Sequence, residues 1–336
     1  MKYQLETKTL TLAHRFTIAR SSSDEKHNVF VKLEKDGITG WGEAAPNTRY
    51  QETPASSTRA IEGICQSLPE NLLTYTPVLE QIKDAVPGEY AAKAAVDMAV
   101  MDWVGKSLGL PLYKLWGLDP ADMPATSMTI AIASPEEMKK RALEASEYHI
   151  LKVKLGSGHD RELIDAIRSV SSQTIRIDAN EGWRDREMAI REIEWLAERN
   201  VELIEQPMPA SQEADMQWLK QRSPLPLIAD EAFTTVNSIY NISECYHGIN
   251  IKLMKCGGTL PARESICLAR SLGLSIMLGC MIESSVAIAA AAHLAPLVDF
   301  ADLDGNLLID NDPFQGHKVE NGAVLLANEP GLGVQL

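Results

Sequence analysis

The chain has 336 residues, of which 45% are hydrophobic and 23% are charged, and its formal net charge is −14. This composition is typical of a folded globular protein with a large core and excludes an intrinsically disordered chain. A strongly acidic surface repels nucleic acids and anionic membranes, so we expect neither as a partner.

Strands and then helices are predicted for the first third of the chain. Val29–Leu33 and Thr39–Glu43 have the composition of strands and flank the turn signal Lys35-Asp36-Gly37. From about residue 52 to 116 the apolar residues recur at helical spacing, and one long helix, Ala91–Leu110, is predicted to stop near a glycine. An N-terminal α+β region is therefore expected.

Strands and helices alternate from about residue 125 onward. Eight strand candidates lie near residues 127, 152, 176, 203, 228, 251, 276 and 300. Helices are predicted between them, starting at Ser134-Pro135 and over 160–170, 187–199 and 210–221. Eight such units favour a closed (β/α) barrel, with a large open sheet as the alternative. Residues after about 312 are expected to return as strands that pack on the N-terminal region.

Acidic residues end three successive apolar runs of this alternating region. They are Asp178 in Ile175–Asn180, Glu205 in Val201–Pro207 and Asp230 in Leu227–Glu231. The carboxyl ends of parallel barrel strands share one mouth, so the three carboxylates are expected to converge there. Converging anions repel one another, and a hard divalent cation such as Mg²⁺ relieves that repulsion. Each acid taken alone is better explained as a helix cap or a loop charge, and only the three in register favour a metal site.

Two lysines precede the acids on the strand Leu151–Leu155. Lys152 and Lys154 are two residues apart and therefore face the same side of the strand, which we expect to be the barrel mouth. Two close ammonium groups are expected to lower each other's pKa, so that one becomes a base near neutral pH. A pair of lysines in ion pairs is the alternative.

A third lysine, Lys252, ends the strand four positions further around the barrel from that of Lys154. Two bases on opposite faces of one carbon are what inversion of a stereocentre requires, because one removes the proton and the other delivers a proton from behind. Lys255, just before Gly257-Gly258, is the rival for this role.

Two aspartates follow the last predicted barrel strand, in Asp302-Leu303-Asp304-Gly305. Asp302 and Asp304 on one face are suited to bind a substrate ammonium group. The alternative is an ordinary turn, since Asp-Gly is a turn dipeptide.

Cysteine use and the N-terminal residues bear on the compartment. The five cysteines are scattered without a CxxC pair, and Met1–Glu6 has no apolar stretch of the kind found in signal peptides. We therefore predict a reduced, cytoplasmic protein without disulfides.

The motifs together resemble the enolase superfamily, and within it the muconate-lactonizing subgroup. The resemblance rests on the KxK, DAN, EQP and ADE motifs, on the lysine of KxxxxGG, and on Gly40–Pro46 and Met101–Gly117. It implies a modified (β/α)7β barrel of the TIM type over residues 123–311. A capping α+β domain is implied over 1–122, and the segment 312–336 is expected to return to it.

The resemblance also implies roles for single residues. Lys154 and Lys252 are expected to be the two catalytic bases with Lys152 beside them, and Asp178, Glu205 and Asp230 to hold Mg²⁺. The aspartate pair after the last strand is similar to that of dipeptide epimerases, which hold the dipeptide's α-ammonium there.

Side-chain specificity is expected to come from the capping loops. In alanyl-glutamate epimerases an arginine on the first loop faces the glutamate side chain, and Arg20 is the candidate here. Arg49 and Tyr50 lie on the second loop, and Asn180 of the DAN motif is a further candidate to contact the substrate.

These features lead to the hypothesis of a Mg²⁺-dependent dipeptide epimerase, with L-Ala-D/L-Glu of murein origin as the first substrate. It inverts the α-carbon of the C-terminal residue through an enediolate. The alternatives are an epimerase for hydrophobic or cationic dipeptides, a cycloisomerase, an o-succinylbenzoate synthase, an N-acylamino-acid racemase, or a silent binding protein on the same barrel. Barrels of this type often associate, so a homo-oligomer is expected.

Overall fold

A three-stranded antiparallel sheet and four helices form the N-terminal part of the fold. The computed structural model describes residues 1–336. The strands, in the order β1-β2-β3, are β1 (Lys2–Ile18), β2 (Ser21–Lys35) and β3 (Ile38–Ala44). The helices are α1 (Pro54–Ser67), α2 (Tyr75–Asp84), α3 (Tyr90–Leu108) and α4 (Leu112–Leu115). The predicted α+β character of this region is confirmed.

Close packing of β3 on α3 explains two glycines of the GWGE sequence. A Cβ atom added to Gly42 would lie 1.9 Å from the carbonyl oxygen of Ala95, and one added to Gly40 would lie 2.0 Å from that of Ala99. Only glycine permits such an approach of strand and helix backbones. Between the two glycines, the backbone N–H of Trp41 donates to Oδ2 of the buried Asp102, at 2.8 Å.

Eight parallel strands follow and are paired in sequence order from β4 to β11. They are β4 (Met128–Ile130), β5 (Ile150–Lys154), β6 (Thr174–Asp178), β7 (Val201–Glu205), β8 (Leu227–Ala229), β9 (Gly248–Ile251), β10 (Ser275–Gly279) and β11 (Phe300–Asp302). A parallel bridge between Thr126 and Ala301 joins the first strand region to the last. The sheet is therefore a barrel, and all eight predicted strands are present.

Helices connect the barrel strands on the outside. They are α5 (Pro135–Glu144), α6 (Asp160–Arg168), α7 (Arg186–Ala197), α8 (Glu213–Lys220), α9 (Ile239–Cys245), α10 (Leu253–Cys256), α11 (Thr259–Ser271) and α12 (Ser285–Ala292). The predicted helix start is confirmed, because Ser134 caps α5 by accepting a hydrogen bond from the backbone of Glu137. None of the helices in the fold is both long and apolar enough to cross a membrane.

Residues beyond 310 return to the N-terminal part largely through irregular backbone. The Leu332 N–H donates to Asp102 Oδ1 at 2.8 Å, and the Phe314 ring stacks on Phe30 with centroids 5.6 Å apart. The strands β12 (Lys318–Glu320) and β13 (Ala323–Leu325) pair only with each other. Their turn lies at the start of the barrel, where Gly322 O accepts a hydrogen bond from Thr126 N. The expected packing of strands on the N-terminal region is replaced by loop contacts.

Candidate active site

Three carboxylates meet at the carboxyl ends of neighbouring barrel strands. Asp178 ends β6, Glu205 ends β7, and Asp230 follows β8, and their oxygen atoms lie within 4.8 Å of one another. All three residues are buried. Burial and the neighbouring Asp178 raise the pKa of Glu205 to about 7. Burial also disfavours the charge of Asp230, but Lys252 and Lys255 outweigh that effect and hold its pKa well below the usual range.

One of these oxygens provides a test of whether the site suits a metal ion. Glu205 Oε1 accepts a hydrogen bond from Asn250 Nδ2 at 2.7 Å. Glu205 Oε2 is buried and has no hydrogen-bond partner, and its one close polar contact is the ion pair with Lys152 Nζ at 2.7 Å. A buried oxygen without a hydrogen bond, within reach of two further carboxylates, fits a hard divalent cation such as Mg²⁺.

Lys152 forms the cationic centre of this acidic cluster. Its Nζ lies 2.6 Å from Asp302 Oδ2, 2.7 Å from Glu205 Oε2 and 3.5 Å from Asp178 Oδ2. Burial opposes the charge, but these carboxylates outweigh it and hold the pKa of Lys152 well above its usual range. The expectation that Lys152 and Lys154 lower each other's pKa is wrong for Lys152, because more carboxylates than lysines surround it.

Lys154 and Lys252 lie on opposite sides of the barrel mouth, on or directly after β5 and β9. Lys154 Nζ is 2.6 Å from Asp178 Oδ2, and Lys252 Nζ is 2.9 Å from Asp230 Oδ2. Both lysines line the same cavity. Lys255 does not line it, because its Nζ is fully buried in hydrogen bonds to Oδ1 and the backbone oxygen of Asp230. The geometry therefore favours Lys252 over Lys255 as the group that reaches a substrate.

The cavity at the mouth has a volume of about 350 Å³, which is suited to a small molecule. Its walls combine the barrel mouth with the loops of the N-terminal part. Among the predicted residues that line it are Arg20, Tyr50, Lys152, Lys154, Asn180, Asp230, Lys252, Asp302 and Asp304. Asp178 and Glu205 lie below it, within contact of Lys152.

Asp302 and Asp304 are buried, and their surroundings differ. Asp302 is fully engaged, with Oδ2 on Lys152 and Oδ1 accepting from Ser127 Oγ at 2.7 Å. Asp304 Oδ2 accepts from the Thr129 N–H at 2.6 Å, while its Oδ1 has only a distant thiol contact. Burial and Asp302 raise the pKa of Asp304 to about 6. Asp304 is thus the member of the pair with a free oxygen for a ligand cation.

Arg20 is held by groups of the barrel loops. Its Nη2 lies 2.6 Å from Glu231 Oε1, and its Nη1 lies 3.6 Å from Glu181 Oε2 and donates to the Asn180 carbonyl oxygen at 3.1 Å. Arg49 Nη2 is 2.8 Å from Glu181 as well. Two arginines from different loops of the N-terminal part therefore converge on acids at the barrel mouth. The expectation that Arg20 faces the glutamate side chain of the substrate did not include these partners.

Tyr50 is the last residue of a short 3₁₀ turn, Thr48–Tyr50, that follows β3. Its side chain lines the cavity. Asn180 has a left-handed backbone with φ of 44°. That conformation turns its N–H onto Asp178 Oδ1 at 2.9 Å and its side-chain amide onto Glu231 at 3.3 Å. Both residues are therefore in place at the cavity.

Four residues that were not among the predicted site residues lie close to the site: Lys26, Glu181, Glu231 and Asn250. Asn250 lies two residues before Lys252, so strand alternation places both side chains on one face and was a usable signal. Glu181 and Glu231 follow predicted motif residues directly. Lys26 lies in a strand of the N-terminal sheet, and no local pattern marks it.

The fold is a (β/α) barrel capped by the N-terminal part, and the acidic candidate metal site lies at the barrel mouth, where barrel enzymes have their active sites. Residues 4–117 match the N-terminal domain of mandelate racemase / muconate lactonizing enzyme, and residues 136–336 match the enolase C-terminal domain-like family. The chain belongs to the mandelate racemase and muconate lactonizing enzyme family of the enolase superfamily.

Individual relatives are similar over nearly the whole chain. An L-Ala-D/L-Glu epimerase of Bacteroides thetaiotaomicron is 44% identical, over 97% of this chain and 85% of its own length. The substrate-liganded L-Ala-D/L-Glu epimerase of Bacillus subtilis has a TM-score of 0.93 at 30% identity, covering 99% and 98% of the two chains. A dipeptide epimerase of Methylococcus capsulatus, complexed with Mg and L-Arg-D-Lys, has a TM-score of 0.91 at 31% identity, covering 100% and 99%.

Proposed function

We propose that this protein is a Mg²⁺-dependent dipeptide epimerase that inverts the α-carbon of the C-terminal residue. The observation that carries the proposal is the placement of Lys154 and Lys252 on opposite sides of one cavity. A metal-binding set of carboxylates lies beside both lysines. Relatives named as dipeptide epimerases, one of them complexed with Mg, support the same reaction. L-Ala-L-Glu is the first substrate to test.

Asp304 is assigned to the α-ammonium of the dipeptide. Its Oδ1 has only a distant thiol contact, whereas both carboxylate oxygens of Asp302 accept hydrogen bonds. Asp302 is assigned to positioning Lys152, since both of its oxygens are engaged. A substrate without a cationic group gains nothing from Asp304, which argues against cycloisomerase chemistry.

The two lysines are assigned to proton transfer at the α-carbon. A neutral amine of one lysine takes the α-proton, and the C–H electrons move onto the carboxylate of the same residue. The ammonium of the other lysine then gives a proton to the opposite face, so that the configuration inverts and no atoms are gained or lost. Either lysine acts as the base, depending on which epimer is bound.

The acids Asp178, Glu205 and Asp230 are assigned to the cation. When bound, a divalent ion supplies positive charge that lowers the cost of the negative charge on the substrate carboxylate. Lys154 and Lys252 each contact one of these acids, so each loses part of its stabilising anion when that acid takes a ligand role.

Proton NMR of L-Ala-L-Glu with protein and Mg²⁺ in D₂O tests the reaction. The glutamate α-proton signal should disappear, and EDTA should abolish the exchange. Lys154→Met and Lys252→Met should each stop epimerisation while still exchanging the α-proton of one epimer, the two variants acting on opposite epimers. Lys32→Met is the matched control, because Lys32 lies on the exposed face of β2 with Glu34 as its partner.

Three outcomes contradict the proposal in different ways. Bound metal with no exchange across neutral, acidic and basic dipeptides removes the function. Wild-type epimerisation in either lysine variant removes the two-base assignment. Equal exchange of L-Ala-L-Glu and N-acetyl-L-Ala-L-Glu removes the role of Asp304, because only the free dipeptide carries an ammonium group.

A further inference from the structure

Lys26 is a cation on the cavity wall that the proposed mechanism does not use. It lies on β2 opposite Leu10, two residues before the buried Asn28, and strand alternation puts both side chains on the same face. Lys26 and Asn28 both line the cavity that contains Lys154 and Lys252. The N-terminal sheet therefore brings one ammonium group to the substrate cavity from the side opposite the barrel strands.

Lys26 differs from the other lysines of the cavity in having no anionic partner. Lys152, Lys154 and Lys252 each lie within 2.9 Å of a carboxylate oxygen. Lys26 is partly buried, and burial alone accounts for a lowered pKa, with no carboxylate acting on it. A partly buried cation without a partner is costly unless a ligand supplies the anion.

Arg20, the other cation in reach, is already compensated. Its guanidinium contacts Glu231 and Glu181, and Asn180 O takes one more of its donors. An incoming carboxylate at Arg20 would lie against these two acids and be repelled. The same carboxylate at Lys26 meets the hydroxyl-rich segment Ser21–Ser23, which also lines the cavity.

We propose that Lys26 binds the side-chain carboxylate of an acidic dipeptide and is the residue that selects acidic over neutral substrates. The inference rests on the proposed function and adds to it the side-chain class of the epimerised residue. Lys26 is a specificity residue in this assignment, because it contacts the substrate far from the α-carbon and exchanges no proton with it.

The test compares kcat/KM for L-Ala-L-Glu and for L-Ala-L-Gln, which differ in charge and hardly in size. We expect the wild-type protein to prefer the glutamate dipeptide. Lys26→Met should lower the Glu/Gln ratio by about 10- to 100-fold, the range given by one charge-assisted hydrogen bond. The loss should fall mainly on KM. Lys26→Glu should move the preference further, toward L-Ala-L-Lys.

Two control variants give the result its meaning. Lys32→Met removes a lysine of the same strand whose Nζ lies 2.6 Å from Glu34, and it should leave the ratio unchanged. Arg20→Met should lower both rates by a similar factor, because it releases Glu231 and Glu181 without removing the side-chain contact.

The failure of this inference is separable from failure of the proposed function. Exchange of dipeptides with an unchanged Glu/Gln ratio in Lys26→Met overturns the inference and leaves the epimerase intact. If the Glu/Gln ratio of kcat/KM falls in Arg20→Met and not in Lys26→Met, Arg20 binds the side-chain carboxylate of the substrate and the inference is overturned. A wild-type protein that exchanges L-Ala-L-Gln as fast as L-Ala-L-Glu also overturns the inference. The absence of exchange with every dipeptide rejects the function itself.

Discussion

Replacement of Lys152 by methionine removes the one ammonium group that several buried carboxylates share. Methionine keeps most of the side-chain volume, so the change is mainly one of charge. Breaking a buried ion pair by removing one partner costs about 3–5 kcal/mol. A chain of 336 residues unfolds with an entropy of about 0.7 kcal/mol/K, from roughly 2.1 cal/mol/K per residue. The thermal midpoint should therefore fall by about 4–7 °C.

The assay is calorimetric melting at pH 7 in EDTA, with Lys32→Met as the matched control. The Lys32–Glu34 pair is at the surface, with side chains 30% and 38% exposed. Such pairs contribute about 0–1 kcal/mol, so the control should shift by about 1.5 °C or less. Saturating Mg²⁺ should restore part of the loss in Lys152→Met by neutralising the same carboxylates. Equal shifts in the two variants in EDTA would refute the reasoning.

Three further predictions concern pH, the second lysine and backbone packing. Because burial raises the pKa of Asp304 to about 6, kcat/KM should fall about tenfold per unit below about pH 6 and level off above it, and Asp304→Asn should remove this limb from the pH–rate profile. Lys255→Met should strengthen Mg²⁺ binding by calorimetry, because Asp230 loses a positively charged neighbour, and it should retain exchange at saturating Mg²⁺. Lys252→Met should not epimerise at any Mg²⁺ concentration. Gly42→Ala should unfold the N-terminal sheet, since its Cβ would meet a backbone oxygen at 1.9 Å. Gly63→Ala, in open space on α1, should raise the free energy of unfolding by about 0.5–1 kcal/mol and therefore raise the melting midpoint slightly.

The barrel was predictable because its signals are local and repeat eight times. Each strand is a short apolar run, and parallel strand ends share one edge, so the meeting of Asp178, Glu205 and Asp230 followed from sequence order alone. The choice between Lys252 and Lys255 was open in the sequence. It depended on which side chain reaches the cavity, and α10 turns Lys255 inward onto Asp230.

The electrostatic details were not predictable, because they depend on partners far away in the chain. Asp302 is 150 residues from Lys152, yet of the carboxylates that raise the pKa of that lysine it has the largest effect. The partners of Arg20 belong to loops after β6 and β8 and were not foreseen for the same reason. The domain limits, the roles of the site residues, the cytoplasmic location and the homo-oligomeric state stay predictions.

Several contacts of the N-terminal part can form only after the last residues of the chain have been synthesised. The Thr11 N–H donates to Asn311, which is synthesised 300 residues later. Asp102 accepts a hydrogen bond from Leu332, which follows it by 230 residues. At about 5–20 residues per second the ribosome needs roughly 15–60 s to span the longer interval. During that time the contacts of β1 with the last residues, such as the bridge from Leu12 to Ile309, are not yet formed. Chaperones that shield nascent strands therefore have a window of that length in which to act on this chain.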